Sequence, residues 1–391
     1  MTADYNKYDI AICGAGPVGL TLALLLTKHG MAAGRIALVD GKTVEQAAKD
    51  PRSIALSYGS RQILEAVGAW SLLTAAAAAA TAIEEIHVSR RGHFGRTLID
   101  RREFDLPALG YVTRYGALVN ALAARAAGEG IAVLRPLQVN ALDESETGVT
   151  LTCADGTVVH APLAAQAEGG IYPEQAGKSV QRDYDQTAVV AQVWADKAIA
   201  HRAYERFTEQ GPLALLPQDD GYALVWCVRP ARAAELLALA DDAFLEALGA
   251  AFGTRLGRFT RITPRAAFPL GLNTEASNTE SVKCSVAIGN AAQTLHPVAG
   301  QGLNLGLRDA MVLARLLAED NSPAALQRFV AGRRTDRSLT IRLTDVMARV
   351  FAAAPEGALS QTLLGASLGL IDVLRPAKKM LAEHMMFGQR S

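Results

Sequence analysis

A glycine-rich turn near the N-terminus has the spacing of a dinucleotide-binding fingerprint. Gly14, Gly16 and Gly19 form the pattern GxGxxG after a short apolar run, and Pro17 opens an apolar stretch that predicts a helix. The first glycine permits a tight turn, the second lets the backbone approach a pyrophosphate, and the third lets the helix pack close to a sheet. The start of the helix would offer N–H groups and a positive dipole end to the phosphates. These four residues are therefore predicted to bind a dinucleotide.

An acidic residue follows the fingerprint at the expected distance. Asp40 ends the next apolar run, 21 positions after Gly19, which is close to the roughly 20 residues typical of this motif. Its carboxylate could accept hydrogen bonds from ribose hydroxyls. The fingerprint alone does not distinguish FAD from NAD. The chain has one GxGxxG and no redox cysteine pair, which argues against a disulfide-type reductase that needs two nucleotide sites.

A second group of turn residues lies near the other end of the chain, between a buried apolar run at 285–288 and a long helical pattern. Such a helix start could stabilise the negative charge that develops at N1 and O2 of a flavin on reduction. The alternative is a helix-capping loop without a ligand. The predicted cofactor contacts are Asn290, Pro297, Gly300, Gln301, Gly302, Leu303 and Asn304. His296 is expected to line this pocket beside Pro297, with acid–base catalysis as an alternative role. It has no partners at ligand spacing, so no metal site is predicted.

The elements that must position these two groups differ from those in the middle of the chain. A strand at 8–13, a helix at 17–29 and a strand at 35–39 form a predicted βαβ unit. Apolar runs at 187–194, 213–216 and 222–228 instead predict a broad antiparallel sheet, and runs at 149–153 and 158–160 flank an Asp-Gly turn typical of a hairpin.

The sequence therefore predicts an α/β fold, with a Rossmann-like cofactor-binding domain, an inserted substrate domain of mixed or antiparallel sheet, and C-terminal helices. The predicted boundaries are 1–72, 105–180 and 275–335 for the discontinuous cofactor-binding domain, 73–104 and 181–274 for the substrate domain, and 336–391 for the C-terminal helical region.

Charge and cysteine content exclude several classes of protein. Lys and Arg number 39, as do Asp and Glu, so bulk attraction to nucleic acid is not expected. The four cysteines show no CxxC spacing, which argues against a zinc ribbon or a disulfide scaffold. The N-terminus lacks a secretory signal, and the uncharged stretches at 10–26 and 357–371 are shorter than a membrane span. A cytoplasmic protein is predicted.

Three segments together resemble the flavoprotein aromatic hydroxylases of the p-hydroxybenzoate hydroxylase type. They are the GxGxxG turn, Asp-Pro-Arg-Ser-Ile-Ala-Leu-Ser at 50–57, and the loop at 289–306. Within that superfamily the chain most resembles the ubiquinone-biosynthesis hydroxylases. Gly-Asn-Ala-Ala-Gln-Thr-Leu-His-Pro at 289–297 is typical of the 2-polyprenyl-6-methoxyphenol hydroxylase branch. The resemblance covers residues 7–345 and is weak over the C-terminal helices.

This resemblance implies an FAD-dependent monooxygenase that uses NAD(P)H or another electron donor and O2. A C4a-hydroperoxide of the flavin would transfer its distal oxygen to an electron-rich phenol. The implied substrate is a polyprenylated methoxyphenol of the ubiquinone pathway, whose apolar tail needs a hydrophobic channel and a lipid-carrying partner or proximity to the inner membrane. The resemblance also implies that Arg52 and Arg114 lie near the flavin or its phosphates, and that Trp226 and Pro269 lie on the substrate side.

Two positions depart from the superfamily pattern. Ala-Glu-Gly-Gly at 167–170 stands where an Asp-Gly pair is usual, so Glu168 brings a longer side chain. Asn290 replaces a usual carboxylate, and its amide can still accept a ribityl hydroxyl bond and can donate one. Two alternative functions stay open, a hydroxylase of a soluble aromatic and a non-redox prenyl-binding protein of the same fold. A halogenase is not favoured, because none of the three tryptophans forms a Trp-x-Trp-x-Ile-Pro motif.

The C-terminal helices carry a separate prediction. The uncharged stretch at 357–371 is followed by Arg375, Lys378 and Lys379, an amphipathic arrangement that could dock on a membrane surface or a partner. An ordinary packed terminal helix is the alternative.

Overall fold

The computed structural model describes residues 7–75, 79–91, 96–168, 179–275, 283–294 and 300–334, together with Lys379, Glu383, Met386 and Phe387. The side chains of residues 179–184, 271–275 and 294 are not described. His296 and Pro297 lie outside the described residues, as does the C-terminal helical region apart from those four positions.

The described part of the chain contains twenty strands and nine α-helical segments. The strands are β1 (Ile10–Cys13), β2 (Ile36–Val39), β3 (Ser53–Ser57), β4 (Ala80–Ile83), β5 (Glu85–Arg90), β6 (Arg96–Asp100), β7 (Gly110–Arg114), β8 (Ala132–Leu134), β9 (Val139–Glu144), β10 (Val149–Cys153), β11 (Val158–Ala161), β12 (Leu163–Gln166), β13 (Ser179–Ala195), β14 (Arg202–Phe207), β15 (Pro212–Gln218), β16 (Gly221–Val228), β17 (Phe259–Ile262), β18 (Ala266–Glu275), β19 (Ser285–Ala287) and β20 (Gln293–Thr294). The helices are α1 (Pro17–Lys28), α2 (Val44–Ala48), α3 (Tyr58–Ala66), α4 (Ala69–Thr74), α5 (Tyr115–Gly128), α6 (Pro230–Ala238), α7 (Asp241–Phe252) and α8 (Gln301–Glu319). Residues 323–334 are also helical.

A five-stranded parallel sheet forms the first part of the fold, in the order β19-β12-β1-β2-β8. Its strands are apolar on both sides because both faces are covered. Ile10 and Ile12 belong to the core that includes α1, α5 and α8, whereas Ala11 and Cys13 belong to the core under the β9–β11 sheet. The predicted βαβ unit is confirmed, and the strands at 149–153 and 158–160 pair as the predicted Asp-Gly hairpin.

Helices α1 and α8 cross closely near the starts of both. A Cβ atom added at Gly306 would lie 2.7 Å from Val18 Cγ2 and 3.0 Å from the Gly289 Cα. Only glycine at position 306 leaves room for this approach. The start of α1, near the N-terminus, and the start of α8, late in the chain, therefore lie close together.

A nine-stranded sheet forms the second part, in the order β20-β18-β13-β16-β15-β14-β5-β6, with β17 paired to β13. The predicted antiparallel strands are confirmed in β13, β15 and β16. Strand β14 pairs in parallel with β5, which brings residues 85–90 into this sheet. A three-stranded sheet of order β3-β7-β4 packs against β14 and β16 of the nine-stranded sheet. The predicted α/β fold class is confirmed.

The two faces of the nine-stranded sheet have different neighbours. On the outer side, Tyr204 and Trp226 pack with Phe244 and Phe252 of α7. On the inner side, Ala203 and Ala223 pack with hydrophobic residues of the β3-β7-β4 sheet. Since side chains alternate along a strand, neighbouring residues of each strand divide between the two sides.

Candidate functional site

The fingerprint turn is shaped by close backbone approaches. Gly14 has a φ of +101°, a conformation that favours glycine. A Cβ atom there would lie 2.6 Å from Ala167 O, and one at Gly19 would lie 1.9 Å from Gly14 O. Gly16 is the N-cap of α1, and no side chain caps this helix start. The turn therefore leaves an open cradle of backbone at the carboxyl ends of β1 and β12.

Asp40 holds the fingerprint turn in place. Its Oδ2 accepts a hydrogen bond from Ala15 N at 2.7 Å, and its Oδ1 accepts one from Lys42 N at 2.7 Å. Each oxygen keeps a lone pair for a further donor such as a ribose hydroxyl. The side chain is partly exposed, so the predicted ribose contact is sterically open.

Arg135 is a fingerprint neighbour that the sequence analysis missed. Its Nη2 donates to Ala15 O at 3.1 Å. Its Nε and Nη1 are buried and have no hydrogen-bond partner among the described residues. A guanidinium with two free donors beside a backbone cradle suits an anionic group such as a pyrophosphate. A lone arginine after the short strand β8 gives no sequence signal for this role.

Glu168 follows β12 beside the same turn. A Cβ atom at Gly14 would lie 2.7 Å from the Glu168 Cα. Burial, with a contribution from the nearby charge of Asp40, raises the pKa of Glu168 to about 7. The departure from the usual Asp-Gly pair therefore places a carboxyl group that is easily protonated at the edge of the cradle.

The two predicted arginines occupy different surroundings. Arg52 forms an ion pair with Asp50 and lies over the rings of Tyr115 and Phe268, at 5.2 and 5.6 Å from their centroids. Tyr115 in turn lies beside the fingerprint, because a Cβ at Gly16 would be 3.3 Å from its hydroxyl. Arg114 instead forms an exposed ion pair with Asp219, in the turn between β15 and β16.

Asn304 joins the start of α8 to β3 and α3. Its Nδ2 donates to Gly300 O at 2.7 Å and to Ala55 O at 3.0 Å. Its Oδ1 accepts from Ser57 N at 2.8 Å and from Ser60 Oγ at 2.7 Å. All four hydrogen-bonding positions of the amide are filled, so the side chain fixes the loop at the start of α8.

The remaining residues of the second loop surround the first turn of α8. Gly300 has a φ of +60°, and no side chain caps the helix there. A Cβ added at Gly302 would lie 3.5 Å from Asn290 Oδ1, an ordinary contact. Asn290 is exposed, Gly302 and Leu303 are partly exposed, and Gln301 is buried. Asn290 and Gly302 thus face each other at an open helix start.

A buried ion pair supports this loop from behind. Asp309 of α8 is fully buried and accepts a 2.8 Å hydrogen bond from Arg333 Nε. Its second oxygen accepts from Gly289 N at 3.3 Å. The pair ties the turn after β19 to α8, and so fixes Asn290 relative to the helix start.

A row of partly accessible side chains crosses the inner side of the nine-stranded sheet. We call it the inner row, and it consists of Val88, Glu205, Ala214, Val225, Val190 and Ala266, which are neighbours on six adjacent strands. Buried residues flank the row in both directions along the strands. They are Ala203 and Ala223 in one direction and Phe207, Pro212, Cys227 and Ala188 in the other. The inner row is therefore a shallow groove with apolar walls and one carboxyl group.

The groove reaches the second loop through β3. Ala55 of β3 packs near Ala203 and Ala223, about 7 Å along the strands from the inner row. Ala55 also accepts the Asn304 hydrogen bond, and a Cβ at Gly300 would lie 3.3 Å from its Cβ. The start of α8 and the groove are thus separated by a single strand.

The two residues predicted on the substrate side, Trp226 and Pro269, are not part of the inner row and lie on the outer side of the sheet. Trp226 is buried on the outer side, with its ring centroid 5.9 Å from that of Phe244. Pro269 is exposed and alternates to the outer side with Ala267, where the lack of an N–H is tolerated. Their neighbours Val225 and Phe268 face the inner side of the sheet.

The arrangement fits FAD on its own geometry. The cradle at Gly14 would be filled by any Cβ, the free donors of Arg135 suit a pyrophosphate, and the open start of α8 suits the pyrimidine edge of a flavin. The fold and these two turns define a flavoprotein of the monooxygenase type. A family model described as "FAD binding domain" matches residues 7–338.

Relatives narrow the class. The chain is 32% identical to "Ubiquinone hydroxylase UbiL" of Rhodospirillum rubrum, over 97% of this chain and 89% of the relative. It is 32% identical to "3-demethoxyubiquinol 3-hydroxylase" of Escherichia coli, over 80% of each. The protein belongs to the ubiquinone-biosynthesis family of FAD-dependent hydroxylases.

A solved structure supports the fold assignment. The p-nitrophenol 4-monooxygenase PnpA from Pseudomonas putida DLL-E4 matches with a TM-score of 0.75, over 98% of this chain and 99% of that one, at 15% identity. Within the part of the chain that the structure describes, no group of three His, Cys, Asp or Glu residues could hold a metal ion. No described helix has the length and apolar character needed to cross a membrane.

Proposed function

We propose that this protein hydroxylates the ring of a polyprenylated methoxyphenol in ubiquinone biosynthesis. The observation that carries the proposal is the inner row, whose Val and Ala side chains offer an apolar groove one strand away from the start of α8. A prenyl chain gains free energy by leaving water for such a surface. The names of the relatives support the same substrate class.

The chain would hold FAD at its two helix starts. Gly14, Gly16, Pro17, Gly19 and Asp40 would bind the adenosine and pyrophosphate half, with Arg135 as an added phosphate ligand and Arg52 nearby.

Asn290, Gly300, Gln301, Gly302 and Leu303 would border the isoalloxazine ring, and Asn304 would hold their loop. Bound FAD would supply the redox chemistry and O2 activation, while the chain orients the phenol and excludes water.

Several finer assignments belong to the proposal. NAD(P)H is the proposed electron donor and O2 the co-substrate. We assign FAD binding to residues 1–72, 105–180 and 275–335 and substrate binding to 73–104 and 181–274. A prenylated substrate resides in the lipid phase, so the protein would work in the cytoplasm at the inner-membrane surface.

The test is a product assay with matched phenols. Purified protein reconstituted with FAD is given NADH or NADPH, and either 2-geranyl-6-methoxyphenol or unprenylated 2-methoxyphenol. The proposal expects a ring-hydroxylated product, formed with the higher kcat/KM from the prenylated phenol. Equal efficiency with both would favour a hydroxylase of soluble aromatics. A colourless protein that cannot be reconstituted with FAD would contradict the whole proposal.

A further inference from the structure

Glu205 is the only ionisable residue of the inner row. Its neighbours across the sheet are Val88 on β5 and Ala214 on β15. The outer-side position of Tyr204, one residue earlier, sets Glu205 on the inner side. A carboxyl group without a hydrogen-bond partner costs free energy on an apolar sheet surface, so its position there calls for an explanation.

The Glu205 carboxyl group has no hydrogen bond or ion pair with any described residue, yet it keeps part of its accessible surface. Burial raises its pKa to about 7. The Glu205 side chain is largely shielded from bulk water, and the surface that it keeps faces the groove. Its oxygens are therefore available to a molecule that occupies the inner row.

The described charged and titratable groups near Glu205 form no ion pair with its carboxyl group. On the inner side of the described sheet these are the Arg90 guanidinium on the adjoining strand β5 and the Cys227 thiol on β16, two strands away. Burial, with a contribution from Glu205, raises the pKa of Cys227, so the thiol stays neutral. Arg90 lies two residues beyond Val88 along β5, and burial lowers its pKa.

We propose that Glu205 is the general base that removes the phenol proton of the substrate, an inference that rests on the proposed function. The phenol O–H bond breaks, and the proton forms an O–H bond on the Glu205 carboxylate. The electron pair stays on the phenolate oxygen and raises the electron density of the ring carbons ortho and para to it. Electrophilic oxygen transfer to the ring is faster for a phenolate than for a phenol, so this proton transfer prepares the ring for hydroxylation.

The pH dependence has a defined sign. Below about pH 7 Glu205 is protonated and cannot accept the proton, whereas above that pH it is ionised and competent. The kcat of the wild-type protein is therefore expected to rise with pH through about 7. A substrate that is already ionised in solution should not need the base.

The test compares Glu205→Gln with Glu209→Gln, an exposed glutamate in the next turn. Both variants are loaded with FAD, and flavin content verifies their folding. With 2-geranyl-6-methoxyphenol, Glu205→Gln should lower kcat by roughly a hundredfold and abolish its rise near pH 7, while Glu209→Gln should change neither. A ring-fluorinated analogue of lower phenol pKa should restore most of the lost rate.

A second readout is the solvent deuterium isotope effect on kcat. Proton transfer to Glu205 should give an isotope effect in the wild type with 2-geranyl-6-methoxyphenol, and this effect should be lost with the fluorinated analogue at a pH where that analogue is ionised. An unchanged kcat and pH profile in Glu205→Gln would overturn the assignment while leaving the proposed hydroxylation intact. If the wild type itself converts no phenol, the proposed function fails and this inference falls with it.

Discussion

The outer and inner sides of the nine-stranded sheet are built from the same strands but from different side chains. Outward residues such as Tyr204, Tyr222 and Trp226 are large and buried. Tyr204 and Trp226 make edge-to-face contacts with Phe252 and Phe244 of α7, and Tyr222 makes one with Tyr204. The inner row consists of valine and alanine apart from Glu205, and its side chains stay partly accessible. The outer side therefore contributes close packing to the core, whereas the small side chains of the inner row leave the room that we assign to the substrate.

Truncation on the outer side gives the largest expected effect. Trp226→Ala should reduce the free energy of unfolding by about 3–5 kcal/mol, because it opens a cavity against Phe244. Activity per bound FAD should stay near the wild-type value. Urea unfolding measures the first quantity, and flavin-normalised kcat the second. Trp194→Ala, at a partly exposed ring stacked on Arg261, is the matched control and should cost less.

A larger side chain in the inner row should lower activity and leave stability nearly unchanged, the opposite of the Trp226 truncation. Ala214→Phe would place a ring in the groove and lower kcat/KM for the prenylated phenol by roughly tenfold to a hundredfold, about 1.4–2.8 kcal/mol. Stability and flavin content should change little, because the site is accessible. Ala231→Phe, on the exposed surface of α6, controls for the added ring. A large loss of stability without loss of kcat/KM would mean that the row is ordinary core.

Two carboxyl groups with a pKa of about 7 extend the comparison. We assign Glu168 to the pyrophosphate site and Glu205 to the substrate groove. Glu168 lies at the fingerprint beside Asp40, Cys13 and Cys153. It is neutral below about pH 7 and negative above, where it would repel a pyrophosphate.

The FAD dissociation constant should therefore rise with pH by about tenfold through this range in the wild type. It should be nearly flat in Glu168→Gln, and unaltered in the exposed control Glu146→Gln. Fluorescence titration of the apoprotein with FAD measures this constant. A pH dependence that persists in Glu168→Gln would assign it to another group.

The fingerprint could be predicted from the sequence because its residues are close along the chain and each has a local steric reason. Gly14, Gly19 and Asp40 occupy the geometry that the spacing predicted. Asn304 was predicted as a cofactor contact, and three of the four hydrogen bonds of its amide go to β3 and α3, about 250 positions earlier. Hydrogen bonds between distant segments leave no local pattern.

The groove could not be predicted for a related reason. The inner row takes one residue from each of six strands, and its members are apolar apart from Glu205. The direction of each side chain depends on strand register, and a shift of one residue reverses it. The resemblance implied Trp226 on the substrate side, whereas its side chain packs on the outer side and that of its neighbour Val225 faces the groove.

The central claim is that the inner row binds the substrate, and photo-crosslinking tests it most directly. A 2-geranyl-6-methoxyphenol carrying a diazirine on its prenyl chain is irradiated with the FAD-loaded protein, and the labelled peptides are identified by mass spectrometry. The account predicts labels on the inner-row strands β5, β14, β15 and β16, at residues such as Val88, Ala214 and Val225, and their loss in Ala214→Phe. Labels confined to α6 and α7 on the outer side, or unchanged labelling in Ala214→Phe, would contradict it.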